Sequence, residues 1–248
     1  MPKAQNKQMQ QISLTSVHHK LIKFCYFISA FLILACGNEK TEKNSSNSLE
    51  KEQAQDTVAT KIQTKTIVCF GDSITAGYGL DDNSDAYPAV LQQKIDALNL
   101  NYTVVNSGVS GETTAGGKSR INWVLNQECA VFILELGAND GLRGVALSET
   151  RSNLQDIIDV VKQKSPNTTI ILAGMQLPPN MGQEYTSEFK QIYIDLAAKN
   201  NLEFIPFILK DVGGIAELNQ SDGIHPTVEG HKIVAITVWE VLKPIVSK

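Results

Sequence analysis

Reactive side chains are scarce in this chain of 248 residues. It holds four histidines and four cysteines, and His18, His19, Cys25 and Cys36 all fall near its start. The cysteines form no closely spaced pair and no His-x-x-x-His motif occurs, so a zinc site has no recognisable framework. His231 follows His225 by six residues, a spacing that supplies no metal-ligand pattern of its own, and His231 reads as a structural residue of the last helix. Charge is thin, at 19% of residues, and aromatics make up only 6%. The apolar run at 24–35 is too short to span a bilayer comfortably as a mature helix. There is no internal repeat, which excludes a repeat array, and no low-complexity tract beyond residues 36–64.

The first 35 residues carry Lys3, Lys7, Lys20 and Lys23 but no acid. A basic start followed by a short apolar run is the pattern of an export signal. Its end, Ile33-Leu34-Ala35-Cys36-Gly37, resembles the lipobox of bacterial lipoproteins, which implies that Cys36 is lipidated and becomes the mature N-terminus. Residues 36–64 are polar and poor in large apolar side chains, so they cannot offset their own ordering entropy and are expected to form a flexible tether. Gly37, rather than aspartate, resembles lipoproteins forwarded to the outer membrane, facing the periplasm. Without the signal, 18 basic residues stand against 26 acidic ones, a net charge of −8, which argues against nucleic acid as a partner. Cys69 and Cys129 lie in or next to apolar strands but too far apart along the strand direction for a disulfide, so both are expected in the core.

The remainder, 65–248, suits one α/β domain, and 42% apolar composition is enough for a substantial core. Short β-branched runs at 66–70, 103–107, 131–136, 168–173 and 203–206 alternate with segments of helical period, which predicts βα units on a mostly parallel sheet of five strands in a three-layer sandwich. Tyr87, Val90, Leu91, Ile95 and Leu98 form one apolar helix face. Leu154, Ile157, Ile158 and Val161 form a second, with Ser148 as its expected N-cap, and Phe189, Ile192, Tyr193 and Leu196 a third. A last helix is expected to start at Pro226.

Ligands of an open parallel sheet bind beyond the carboxyl ends of its strands, where loops and unpaired N–H groups converge. Ser73 follows the first strand, the 108–111 turn the second, Asn139 the third, and Asp222 with His225 the fifth. A serine hydroxyl needs a base, and the base needs a group that holds its tautomer. His225 can be that base, and Asp222, three residues earlier, can reach its Nδ1 within one turn. The Ser73 and Gly111 N–H groups and the Asn139 amide would then face the oxyanion, with glycine at 111 leaving room for substrate beside the backbone. Asp72 and Asp140 are expected to hold loops, and 177–182 to border the binding cleft.

Gly71-Asp72-Ser73-Ile74, the 106–113 turn containing Gly111, Gly137-Ala138-Asn139-Asp140 and Asp222-Gly223-Ile224-His225-Pro226 resemble, in order, the four blocks of the SGNH, or GDSL, hydrolases. The runs at 135–144 and 177–182 are similar to the periplasmic branch of arylesterases and multifunctional thioesterases and lysophospholipases. That resemblance implies a flavodoxin-like sandwich with strand order 2-1-3-4-5 and catalytic Ser73, Asp222 and His225, with an oxyanion hole of Ser73, Gly111 and Asn139. It implies hydrolysis of small-molecule or lipid esters and thioesters without metal or cofactor. The lipobox and tether depart from relatives secreted as free periplasmic enzymes and point instead to an enzyme held at the membrane by its lipid, expected to be a monomer. Carbohydrate deacetylation or acyl transfer with the same residues is the enzymatic alternative, and an inactive surface-binding lipoprotein the other.

Overall fold

The computed structural model describes residues 64–248. The expected signal, the lipidation site at Cys36 and the tether up to residue 63 lie outside the described residues. Five parallel strands, β1 (Lys65–Gly71), β2 (Tyr102–Gly108), β3 (Val131–Glu135), β4 (Thr169–Ala173) and β5 (Glu203–Ile205), form one sheet in the order β2-β1-β3-β4-β5. β3 is buried throughout and β1 from Ile67 onward, so both read as continuous apolar runs, whereas β2 at the edge is half exposed. Phe70 on β1 and Phe132 on β3, both fully buried, stack with ring centroids 5.4 Å apart. Each such ring contributes about 1.5–3 kcal/mol by leaving water, which makes the sheet a stiff platform for the loops above it.

Seven helices accompany the strands among the described residues: α1 (Ser73–Ala76), α2 (Tyr87–Ala97), α3 (Thr114–Val124), α4 (Ala138–Leu142), α5 (Leu147–Lys164), α6 (Gln183–Asn200) and α7 (Val228–Val246). α2 packs on α7, while α3 packs on α5 and α5 on α6. With this strand order, that grouping is the one right-handed crossovers would give, one helical layer on each face of the sheet. None of the described helices is long and apolar enough to cross a membrane. Cys69 and Cys129 are buried and unpaired, as their offset along neighbouring strands requires.

The helix ends depart from the sequence expectation. α5 begins one residue before Ser148, with Ala146 at the N-cap and no side chain capping it; Ser148 is its second residue. α7 begins at Val228 rather than Pro226, because the Thr227 side chain accepts from the Gly230 N–H and forms the N-cap. Pro226 instead forms an isolated antiparallel bridge with Asn219. Leu98 caps the end of α2 and is exposed. α3 had no counterpart in the periodicity: it contains Gly116 and Gly117 and buries only Thr114, Gly117 and Ile121, so it carries no apolar stripe.

Candidate active site

Where β1 stops, Asp72 turns the chain into the single turn of α1. Its Oδ1 accepts from the Ile74 N–H at 3.0 Å, which places Ser73 at the first helical position. The first N–H groups of a helix have no partner within it, and the Ser73 N–H donates to no acceptor among the described residues. Glycine at 71 is obligatory here, because a Cβ would collide with Thr75 Oγ1 and Glu135 Oε2.

The turn after the 3-10 helix Ala216–Leu218 brings His225 over Ser73. Asp222 Oδ1 accepts from the N–H groups of Ile224 (3.0 Å) and His225 (3.1 Å), and its Oδ2 lies 2.6 Å from His225 Nδ1. A carboxylate only accepts, so Nδ1 carries the ring proton and Nε2 presents a lone pair. That lone pair lies 2.9 Å from Ser73 Oγ. Burial pushes the Asp222 carboxyl upward, but hydrogen bonds from Ile224 and His225 outweigh it and lower its pKa to about 2. Gln220 fastens the turn: its Nε2 donates to Tyr78 O (2.7 Å) and Pro226 O (3.0 Å), and the Tyr78 ring rests 4.7 Å from the His225 ring.

The other expected donors gather on the same edge. The Gly111 N–H has no acceptor among the described residues. The protein leaves room for a side chain at 111, since a Cβ would sit 3.6 Å from Arg143 Nη2; what demands glycine is the backbone, at φ +77°. Asn139 stands in α4 behind Gly137, and its Nδ2 donates to Asp72 Oδ2 (3.2 Å) and Glu112 O (3.1 Å). Asp140 holds the adjoining loop by accepting from the Thr114 N–H (2.8 Å) and hydroxyl (2.5 Å).

Beneath this surface lies a buried polar layer that no sequence pattern announced. Glu135, fully buried at the end of β3, accepts from the Thr75 hydroxyl (2.7 Å) and the Asp72 N–H (3.3 Å), and Thr75 in turn meets the Tyr87 hydroxyl (3.0 Å). Burial, and then the charge of Asp72, holds the Glu135 carboxyl well above the ordinary range. Burial also raises Asp72 to about 6, against the hydrogen bond from the Ile74 N–H and the charge of His225. Arg120 lies 4.0 Å over the Phe70 ring, pairs with Glu112 and donates to Ser107 O at 2.9 Å, clamping the ends of β1 and β2.

Ser73 and His225 open onto a cleft of about 730 Å³, with Leu142, Met175, Leu177, Pro178, Phe207 and Ile224 among its apolar walls. Of the expected cleft loop 177–182, Leu177 to Pro179 line it, whereas Asn180, Met181 and Gly182 do not. His231 is wholly buried; its Nδ1 accepts from the Tyr87 N–H at 3.3 Å, and burial lowers its pKa to about 4. Among the described residues no cluster of three or more His, Cys, Asp or Glu side chains could hold a metal ion.

The model of the GDSL-like lipase/acylhydrolase family matches residues 69–233. The chain is 38% identical to the esterase TesA of Pseudomonas aeruginosa over 182 residues, covering 73% of this chain and 89% of that protein. It is 34% identical to thioesterase 1/protease 1/lysophospholipase L1 of Escherichia coli over 183 residues, covering 73% and 85%. A crystal structure of TesA superposes with a TM-score of 0.70 at 37% identity, over 73% of this chain and 99% of that one.

Proposed function

The chain belongs to the GDSL-like lipase/acylhydrolase family, and from that premise we propose that it hydrolyses carboxylic esters and thioesters through an acyl-Ser73 intermediate. The observation that carries this reading is the continuous line from Asp222 Oδ2 through the His225 ring to Ser73 Oγ, with contacts of 2.6 and 2.9 Å. His225 Nε2 takes the Ser73 proton as Oγ attacks the acyl carbon, and the imidazolium is held by Asp222. The same proton then passes to the leaving alcohol or thiol. Water, deprotonated by His225, attacks the acyl-serine and releases the acid.

The negative oxygen of each tetrahedral intermediate would lie against the Ser73 and Gly111 N–H groups, both without acceptors among the described residues. Asn139 supplies the third donor by sharing a hydrogen now given to Asp72 or Glu112 at 3.1–3.2 Å. The apolar cleft walls favour acyl chains over a carbohydrate face, which supports ester and thioester hydrolysis above deacetylation of sugars. The names of the relatives, esterase and thioesterase/lysophospholipase, point the same way. Lipidation at Cys36 and attachment to the outer membrane remain part of this proposal and rest on the sequence alone.

Ser73→Ala tests the reading. Hydrolysis of a short p-nitrophenyl ester is expected to fall by about 10⁴-fold or more with an unchanged circular dichroism spectrum. Turnover within tenfold of the unaltered enzyme would remove Ser73 from the mechanism.

A further inference from the structure

The two loops that bring the Gly111 N–H and the Asn139 amide to the cleft leave different strands, β2 and β3, and need something to hold them in register. One atom does so. Arg143 Nη2 donates to Gly111 O at 3.0 Å and to Asn139 Oδ1 at 3.3 Å, so a single guanidinium nitrogen spans both loops. Arg143 itself is exposed and caps the C-terminal end of α4, with its backbone N–H on Asn139 O and Gly141 O. Its side chain therefore reaches back over the helix that carries Asn139.

We propose that Arg143 is a positioning residue of the oxyanion hole, acting through Asn139 and Gly111 rather than on substrate. Arginine is a donor only, so the amide atom it faces must be oxygen, and the Asn139 nitrogen is turned inward toward Asp72 and the cleft. Asp72 Oδ2 and Glu112 O pull on Nδ2 from the inner side while Arg143 holds Oδ1 from the outer side. An amide gripped at both ends keeps Nδ2 fixed beside the cleft, so that one hydrogen can be shared with the charge that develops on the substrate while the side chain itself stays in place. The bond to Gly111 O does the same for the glycine turn, whose left-handed backbone has no side chain to anchor it.

The test rests on the acyl-serine reading and separates its failure from that of the inference. Titration of the unaltered enzyme with a fluorophosphonate establishes whether an active serine exists and counts active sites, so misfolded material drops out of every rate. Arg143→Met keeps the aliphatic stem and removes the donors. Its kcat per titrated site on a neutral p-nitrophenyl ester is expected to fall roughly tenfold, the low end for charge-assisted bonds at an exposed side chain, with KM little changed. Arg143→Lys, which can also place one nitrogen between two oxygens, is expected to recover most of the rate. In an Asn139→Ala background the Arg143→Met loss is expected to shrink, because the amide it positions is gone.

An unchanged kcat in Arg143→Met would overturn the inference, as would a full tenfold loss on top of Asn139→Ala. A defect seen only as a raised KM for phosphate-bearing esters would overturn it too, and would make Arg143 a headgroup contact instead.

Discussion

Ser73 and His225, 152 positions apart in the chain, meet with Oγ and Nε2 2.9 Å apart. The sheet makes the meeting possible. Ser73 leaves the carboxyl end of β1, and the His225 turn lies beyond the carboxyl end of β5, on the same edge. Gln220 then closes the remaining gap by gripping Tyr78, five residues after Ser73, and Pro226, next to His225.

Asp222→Asn tests how much the orienting carboxylate matters. The asparagine keeps an oxygen for the Ile224 and His225 N–H groups, so the turn survives. Its amide nitrogen, however, would donate to Nδ1 and move the ring proton to Nε2, where it faces Ser73 in the wrong tautomer. Buried triad aspartates lose about 10⁴-fold on this change. Asp222 keeps 38% of its side chain exposed, so a smaller loss, about 10²- to 10³-fold in kcat, is expected from screening by water. Steady-state kinetics showing less than a threefold change would mean that Asp222 does not orient the base.

Glu135→Gln reads the buried layer through the pH dependence of stability. The folded protein keeps the Glu135 proton while the unfolded chain releases it near its ordinary pKa, so the folded state binds more protons and stability falls as pH rises above that value. Glutamine has no proton to lose, so the stability of Glu135→Gln relative to the unaltered protein should rise between pH 5 and pH 7.5. Urea midpoints at the two pH values decide it, and a difference that stays constant would mean that Glu135 titrates as an ordinary carboxyl.

Cys36→Ala addresses the anchor. In a bacterial host that lipidates exported proteins, the unaltered full chain is expected to sediment with membranes and the variant to stay in the soluble envelope fraction. Its turnover of membrane-borne esters should then fall while turnover of soluble esters holds. Equal losses on both substrates would count against an anchoring role.

Much of the site could be read from the sequence because its logic is positional. Every polar candidate follows a strand, and parallel strands place all such positions on one edge. The Asp222 to His225 contact was also legible, being local and set by the reach of one turn. Helix boundaries were less so: Ser148 and Pro226 are both good starting residues, and Ala146 and Thr227 took the N-caps instead. The contacts of Glu135, Arg120, Gln220 and Arg143 were not legible at all. Each joins residues far apart in the chain or lies on an exposed loop, and no periodicity records that Arg120 covers Phe70 or that Glu135 sits beneath Asp72. Glycine at 111 was expected for a steric reason, whereas the structure requires it for its positive φ.

The most direct measurement is the mass of the protein after exposure to a fluorophosphonate, followed by peptide mapping, because only an activated hydroxyl displaces the fluoride. One adduct per chain is expected, on the peptide containing Ser73, with none in Ser73→Ala and strongly slowed labelling in His225→Ala. An unlabelled protein that still hydrolyses esters, or an adduct on another residue that abolishes hydrolysis, would contradict an acyl-Ser73 mechanism.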